Sequence, residues 1–147
     1  MRSRFISLLA VLVIAAAFSC AKKIPLSPDI IKADSISRLQ EAIQAGSDIE
    51  SRDEAGWTPL IHAARYNSVK TARILIESGA DVNSSDRKGR TALMYAAWSF
   101  AHDVARLLLE NGADVNARSS YGSTAFIWAR DKKDTRMMRL LEEYGAR

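Results

Sequence analysis

Gly46, Gly79, Gly112 and Gly145 stand 33 residues apart, and so do Gly56, Gly89 and Gly122, and Thr58, Thr91 and Thr124. Whole segments return with them: ESGADVN at Glu77–Asn83 comes back as ENGADVN at Glu110–Asn116. A period this strict demands a stack of equal units, each burying its apolar face on the next, because one such unit has too little surface to form a core alone. Composition agrees, since 48% hydrophobic and 26% charged residues with only three Pro describe a folded domain, not a disordered or fibrous chain.

Each unit has a physical reading. Thr58-Pro59 is a helix N-cap followed by proline at the first helical position, where the missing N–H costs nothing. Ala63 and Ala64 keep that helix thin, so the next unit can approach closely. Asn67 tolerates the left-handed conformation that turns the chain. Val69, Ala72, Leu75 and Ile76 then recur at helical spacing and form the apolar stripe of a second helix, which Gly79 ends from the C′ position. Asp81-Val82-Asn83 leads outward, and Asp86 to Gly89 makes a turn before Thr91 caps the next helix.

Helix, turn, helix and projecting loop at this period resemble the ankyrin repeat. Gly56-Trp-Thr-Pro-Leu-Ile-His-Ala-Ala64 is similar to that family's G-x-T-P-L-H-x-A-A, and Gly79-Ala-Asp-Val-Asn83 to its G-A-D-V-N. The resemblance implies an all-α solenoid of about four repeats including caps, at about 24–54, 55–87, 88–120 and 121–147, in a domain spanning 30–147. The departures carry expectations of their own. The family's turn-bracing histidine is Ile61, Met94 and Ile127 here, so its hydrogen bond must be replaced or lost. Phe100 stands where the family usually has glycine, and a loop of different shape is expected there. Gly46-Ser-Asp-Ile-Glu50 keeps the register in a worn first repeat. Arg130 and Glu142 give the last repeat a polar outer face, as a terminal cap requires.

The first residues do not share the period. Arg2 and Arg4, an apolar run from Phe5 to Phe18 broken by Ser7, and small residues before Cys20 are the three regions of a secretory signal peptide over 1–19. The run is short for a membrane span, which needs about 20 residues. Cys20 is the chain's single cysteine, so no internal disulfide exists. Ala17-Phe18-Ser19-Cys20 resembles the lipobox of bacterial lipoproteins, which implies lipidation at Cys20 and membrane anchoring, with residues 20–29 as a tether. It departs from that pattern at Ala17, where leucine is usual, and Ala17-Phe18-Ser19 also reads as an ordinary cleavage site that releases a soluble protein. Ala21 and Lys22 lack the aspartate that marks inner-membrane retention, which favours the periplasmic face of the outer membrane. Cleavage removes Arg2 and Arg4 and takes 21 basic residues to 19 against 17 acidic, a net +2, too small to argue for nucleic acid.

Catalysis finds little support. His62 and His102 belong to different repeats, with no HExxH, cysteine pair or phosphate loop around them. His62 aligns with Tyr95 and Trp128, as a packed helix residue would. Asp81, Asp114, Asn83 and Asn116 recur once per repeat, as turn residues do. No enzyme activity, cofactor or metal is expected. The resemblance implies a protein partner bound by loop tips and by the exposed face of the first helices. Carried over, these are Glu54, Trp57, Arg87, Lys88, Arg90 and Tyr121 at the tips, and Arg65, Tyr66, Trp98 and Lys132 on the helices. Trp, Tyr and Arg are the residues enriched at binding hot spots, although Trp57 and Trp98 could equally pack over neighbouring helices. Three roles fit an exported binding module: an envelope adaptor or stress-protection factor, as implied by small exported bacterial ankyrin proteins associated with oxidative stress; an immunity protein masking an exported toxin or lytic enzyme; or an effector released to a host.

Overall fold

A computed structural model describes residues 26, 28–32 and 36–147, so the expected signal peptide, Cys20 and most of the expected tether lie outside the described residues. The helices are α1 (Pro28–Lys32), α2 (Ile36–Gln44), α3 (Pro59–Arg65), α4 (Val69–Glu77), α5 (Ala92–Trp98), α6 (His102–Glu110), α7 (Ala125–Asp131) and α8 (Thr135–Glu143). They form two layers. The first helices of the units, α1, α3, α5 and α7, contact one another in sequence, the second helices α2, α4, α6 and α8 do the same behind them, and each pair closes on itself. Among the described residues the only extended pairing is one antiparallel bridge, Ser85 to Thr91, at a loop tip.

The repeat chemistry explains each element. Thr58, Thr91 and Thr124 cap their helices, each hydroxyl accepting from the backbone N–H three residues on, at 3.3, 3.4 and 3.3 Å. Ala63, Ala64, Ala96, Ala97 and Ala129 are fully buried, so the first helices stack with almost nothing between their backbones. Leu75, Leu108 and Leu141, one in each of α4, α6 and α8, are also fully buried and form the spine of the rear layer. The second helices end in Schellman turns: Ala80 N–H donates to the Leu75 carbonyl at 2.9 Å across Gly79, which has φ of 93°. Leu26 is buried, and Pro28 opens α1, so the fold reaches back into the segment expected to be tether.

The position occupied by Phe100 behaves otherwise than expected. Asn67, Phe100 and Lys133 have φ of 55°, 58° and 57°, and Ser68, Ala101 and Asp134 donate to the carbonyls of Ala63, Ala96 and Ala129 at 2.9 Å each. The three turns therefore have one shape: stacking imposes it, and the phenylalanine adopts a left-handed backbone with half its side chain exposed. Left-handed backbone costs an ordinary L-residue about 1–2 kcal/mol. Asn67→Ala should accordingly lower unfolding stability by about 1 kcal/mol while Asn67→Gly changes it by a few tenths, measured by guanidinium titration; equal losses would show that the asparagine side chain, not the backbone, matters.

The missing family histidine is replaced by packing. Ile61 and Met94 are buried, with relative exposures of 0% and 1%, and the Thr58 hydroxyl lies 3.3 Å from Ser84 Oγ, tying the start of the repeat to its own closing loop.

The recurrent loop asparagines act as spacers between repeats. The Asn83 amide uses both ends: Nδ2 donates to the Gly112 carbonyl (3.2 Å) and Oδ1 accepts from Asp114 N–H (2.7 Å). Asn116 repeats this with Gly145 (3.1 Å) and Arg147 (3.0 Å). Glu50, at the asparagine position of the first repeat, keeps only the accepting half, from Asp81 N–H at 2.8 Å.

Candidate functional site

Loop tips and first helices together make one face, and a side-chain acceptor at the start of each tip, a carboxylate in two of them and a hydroxyl in the third, fixes it. Asp53 Oδ1 accepts from the N–H groups of Ala55 (2.9 Å) and Trp57 (2.8 Å), while its Oδ2 pairs with His62 Nε2 at 2.9 Å. Because a carboxylate only accepts, that histidine nitrogen carries the proton. Asp86, one repeat later, accepts from the N–H groups of Lys88 (2.8 Å) and Arg90 (3.0 Å), from Arg90 Nε (2.7 Å) and from the Tyr95 hydroxyl (2.9 Å). Ser119 holds the third tip through its hydroxyl, which accepts from Tyr121 and Ser123 N–H at 3.3 and 3.2 Å. His62, Tyr95 and Trp128 occupy one register, and the first two of them brace their tips onto their own helices through Asp53 and Asp86.

Burial alone would raise these carboxyls, but the hydrogen bonds outweigh it. Asp86 is held below the usual carboxylate range by Arg90 and by the Arg90 and Lys88 amides; Asp53 is held low by Trp57 N–H and His62. Tyr95 moves the other way, its hydroxyl raised well above the usual tyrosine value by burial and by the Asp86 carboxylate. On the opposite face His102 Nε2 lies 2.8 Å from Asp134 Oδ2, and Asp134 also caps α8 by accepting from Met137 N–H at 3.0 Å. Burial again opposes ionisation, and the His102 bond with the α8 amides holds Asp134 low. Both histidines are thus structural partners of aspartates, and among the described residues no three of His, Cys, Asp and Glu converge as a metal site requires.

Aromatic side chains fill the face that these braces position. Trp57 packs between His62 and Tyr95, with centroids 5.1 and 4.6 Å away. Trp128 sets its ring edge-on to Tyr95 at 5.8 Å and to Trp98 at 5.7 Å. Trp57, Arg65, Arg90, Tyr95, Trp98 and Trp128 line a groove of about 260 Å³. Lys132 lies over the Trp98 ring, its Nζ 3.4 Å from the centroid, and Arg65 Nη1 donates to Ser99 Oγ at 3.2 Å.

Of the sequence-derived candidates, the groove unites Trp57, Arg65, Arg90 and Trp98, with Lys132 at its rim. Glu54, Arg87, Lys88 and Tyr121 stay exposed on the tips, where Lys88 Nζ approaches the Tyr121 ring at 6.0 Å, and Tyr66 lies stacked 6.2 Å from His62. Trp57 is half-buried and Arg90 is committed to Asp86, so both serve the scaffold as well as the groove. Sequence reasoning passed over Tyr95 and Trp128 as groove walls and Asp53 and Asp86 as braces; the signal for all four was their spacing of 33.

A family profile described as ankyrin repeats in three copies matches residues 30–119, more than half of the chain. No curated protein matches it.

Proposed function

The chain belongs to the ankyrin-repeat family, whose members are generally protein–protein interaction modules, and from that premise we propose that it is a non-catalytic binding module of the bacterial envelope. Its partner is a protein, bound on the concave face and loop tips. The observation that carries this is the aromatic groove with the exposed rings outside it: Trp98, in its lining, is 44% exposed, and Tyr66 and Tyr121, outside the lining, are 40% and 73% exposed, on a surface that also presents Arg65, Arg87 and Lys88. Exposed large aromatics beside arginine are what a partner's desolvated hot spot needs.

Export rests on residues 1–19 and anchoring on Cys20, whose resemblances to a signal peptide and a lipobox support a periplasmic module on a lipid tether. Among the described residues no helix is long and apolar enough to cross a membrane. Within the envelope an adaptor or stress-protection role is the first reading, and neutralisation of an exported toxin or lytic enzyme the second. Affinity capture from the membrane fraction tests the module. A Tyr66→Ala, Trp98→Ala, Tyr121→Ala variant, all three positions being exposed, should melt within a few degrees of the native chain yet lose at least tenfold of one retained protein, since each hot-spot aromatic contributes about 1–2 kcal/mol or more. Retention of the same proteins by both chains would reject the concave face as the binding surface.

A further inference from the structure

All three tryptophans of the chain line the one groove. At about 260 Å³ it is below the roughly 300–1,000 Å³ of a pocket for a free small molecule or cofactor, so it suits a single inserted side chain. The walls are apolar, and their rings stand edge-on: 88° between Tyr95 and Trp128, and 69° between Trp98 and Trp128. A nucleobase needs an open ring face to stack on. Here Lys132 covers Trp98 and Arg90 Cζ sits 5.2 Å over Tyr95. The same two cations exclude an aromatic cage for an ammonium ligand, which would have to displace them against their own charge.

The charged side chains that line or rim the groove, Arg65, Arg90 and Lys132, are all cationic. Among the described residues Arg65, Arg87, Lys88 and Lys132 have no carboxylate within ion-pair distance, and Asp86 is already consumed by Arg90 at 2.6 Å. Arg65 has only the neutral Ser99 hydroxyl. We infer that the groove receives one aromatic or branched apolar side chain from an acidic segment of the partner protein, with flanking carboxylates meeting Arg65 and Lys132. The inference rests on the interaction-module reading and specifies its partner. Insertion places an apolar group among four aromatic rings. The carboxylates give the unpaired cations their counter-charges and draw Lys132 off the face of Trp98.

The test is a display library of random twelve-residue peptides panned against the full chain. Recovered peptides should place Phe, Trp, Leu or Ile between Asp or Glu. A synthetic copy should shift the tryptophan emission on titration, weaken as salt rises, and bind about tenfold less well to Trp98→Ala. Arg65→Gln keeps the hydrogen-bond donor and removes the charge, and should weaken binding about threefold. Basic or charge-free consensus sequences, no enrichment, unchanged affinity for both variants, or tighter binding of a single-stranded oligothymidine under the same conditions would each overturn the inference. If membrane capture still yields a protein lost by the Tyr66, Trp98 and Tyr121 variant while the library fails, the interaction module stands and only the acidic partner class falls.

Discussion

Asp86→Ala should destabilise the domain by about 3 kcal/mol or more and lower its melting temperature by roughly 10 °C. The size follows from what the side chain holds. It is fully buried, accepts from two backbone N–H groups, and binds both Arg90 and the buried Tyr95 hydroxyl. Alanine leaves the two amides, the hydroxyl and a half-buried guanidinium without their acceptor, and the cost of stranded polar groups exceeds the value of the bonds when made. Asp53→Ala should cost less, because the Asp53 side chain is 32% exposed and water can take its place. Acid behaviour separates the carboxylate's contribution from its shape. Asp53, Asp86 and Asp134 all ionise below their ordinary value in the folded chain, so their stabilisation is complete above the unfolded value of about 3.9 and is lost as pH falls through the lower folded values. Native stability should therefore decline below about pH 5, and Asp86→Asn, followed by denaturant titration at several pH values, should show a shallower decline. An Asp86→Ala variant as stable as the native chain, or an unaltered pH slope in Asp86→Asn, would remove the brace from the account of this fold.

That brace marks the limit of what was legible in the sequence. Helix order, caps and glycine stops could be read because they depend on residues three or four apart, within one turn of backbone. Asp53–His62 and Asp86–Tyr95 span nine residues, and the helix partner changes from His to Tyr between them, so no constant motif advertises the contact. Asn83 shows the same division. Its turn role could be read, while its bonds to Gly112 and Asp114 need the stacked neighbour and cannot be inferred inside one unit. Phe100 misled for the complementary reason: local preference argues against a left-handed phenylalanine, and packing of the flanking helices overrides it. The groove was half visible. Position within the repeat named Trp57, Arg65, Arg90 and Trp98, whereas Tyr95 and Trp128 entered only as the helix positions whose alignment argues that His62 is packed.

A linear stack should respond to damage according to where it is struck. Leu108 and Leu141 hold the same register in successive repeats, and both are fully buried. Deleting either side chain opens a cavity costing about 2–5 kcal/mol locally. Leu108 lies on α6, which packs against α4 on one side and α8 on the other, so its loss weakens two interfaces between repeats. Leu141 lies on α8, whose rear-layer neighbour among the described residues is α6 alone. Stability in such a stack is approximately a sum of unit and neighbour contributions, so a weakened terminal unit can open by itself while a weakened central one cannot. Leu108→Ala should therefore shift the whole tryptophan-fluorescence melt by roughly 10 °C as one transition. Leu141→Ala should leave the main transition closer to native and remove hydrogen-exchange protection from α7 and α8 first. Trp128 on α7 would then be released with the cap, taking one wall of the groove with it, so this variant should lose partner binding at temperatures where α3 to α6 remain folded. Uniform loss of protection across all repeats in Leu141→Ala would mean that the stack melts as one indivisible body, and that the groove is as stable as its strongest repeat.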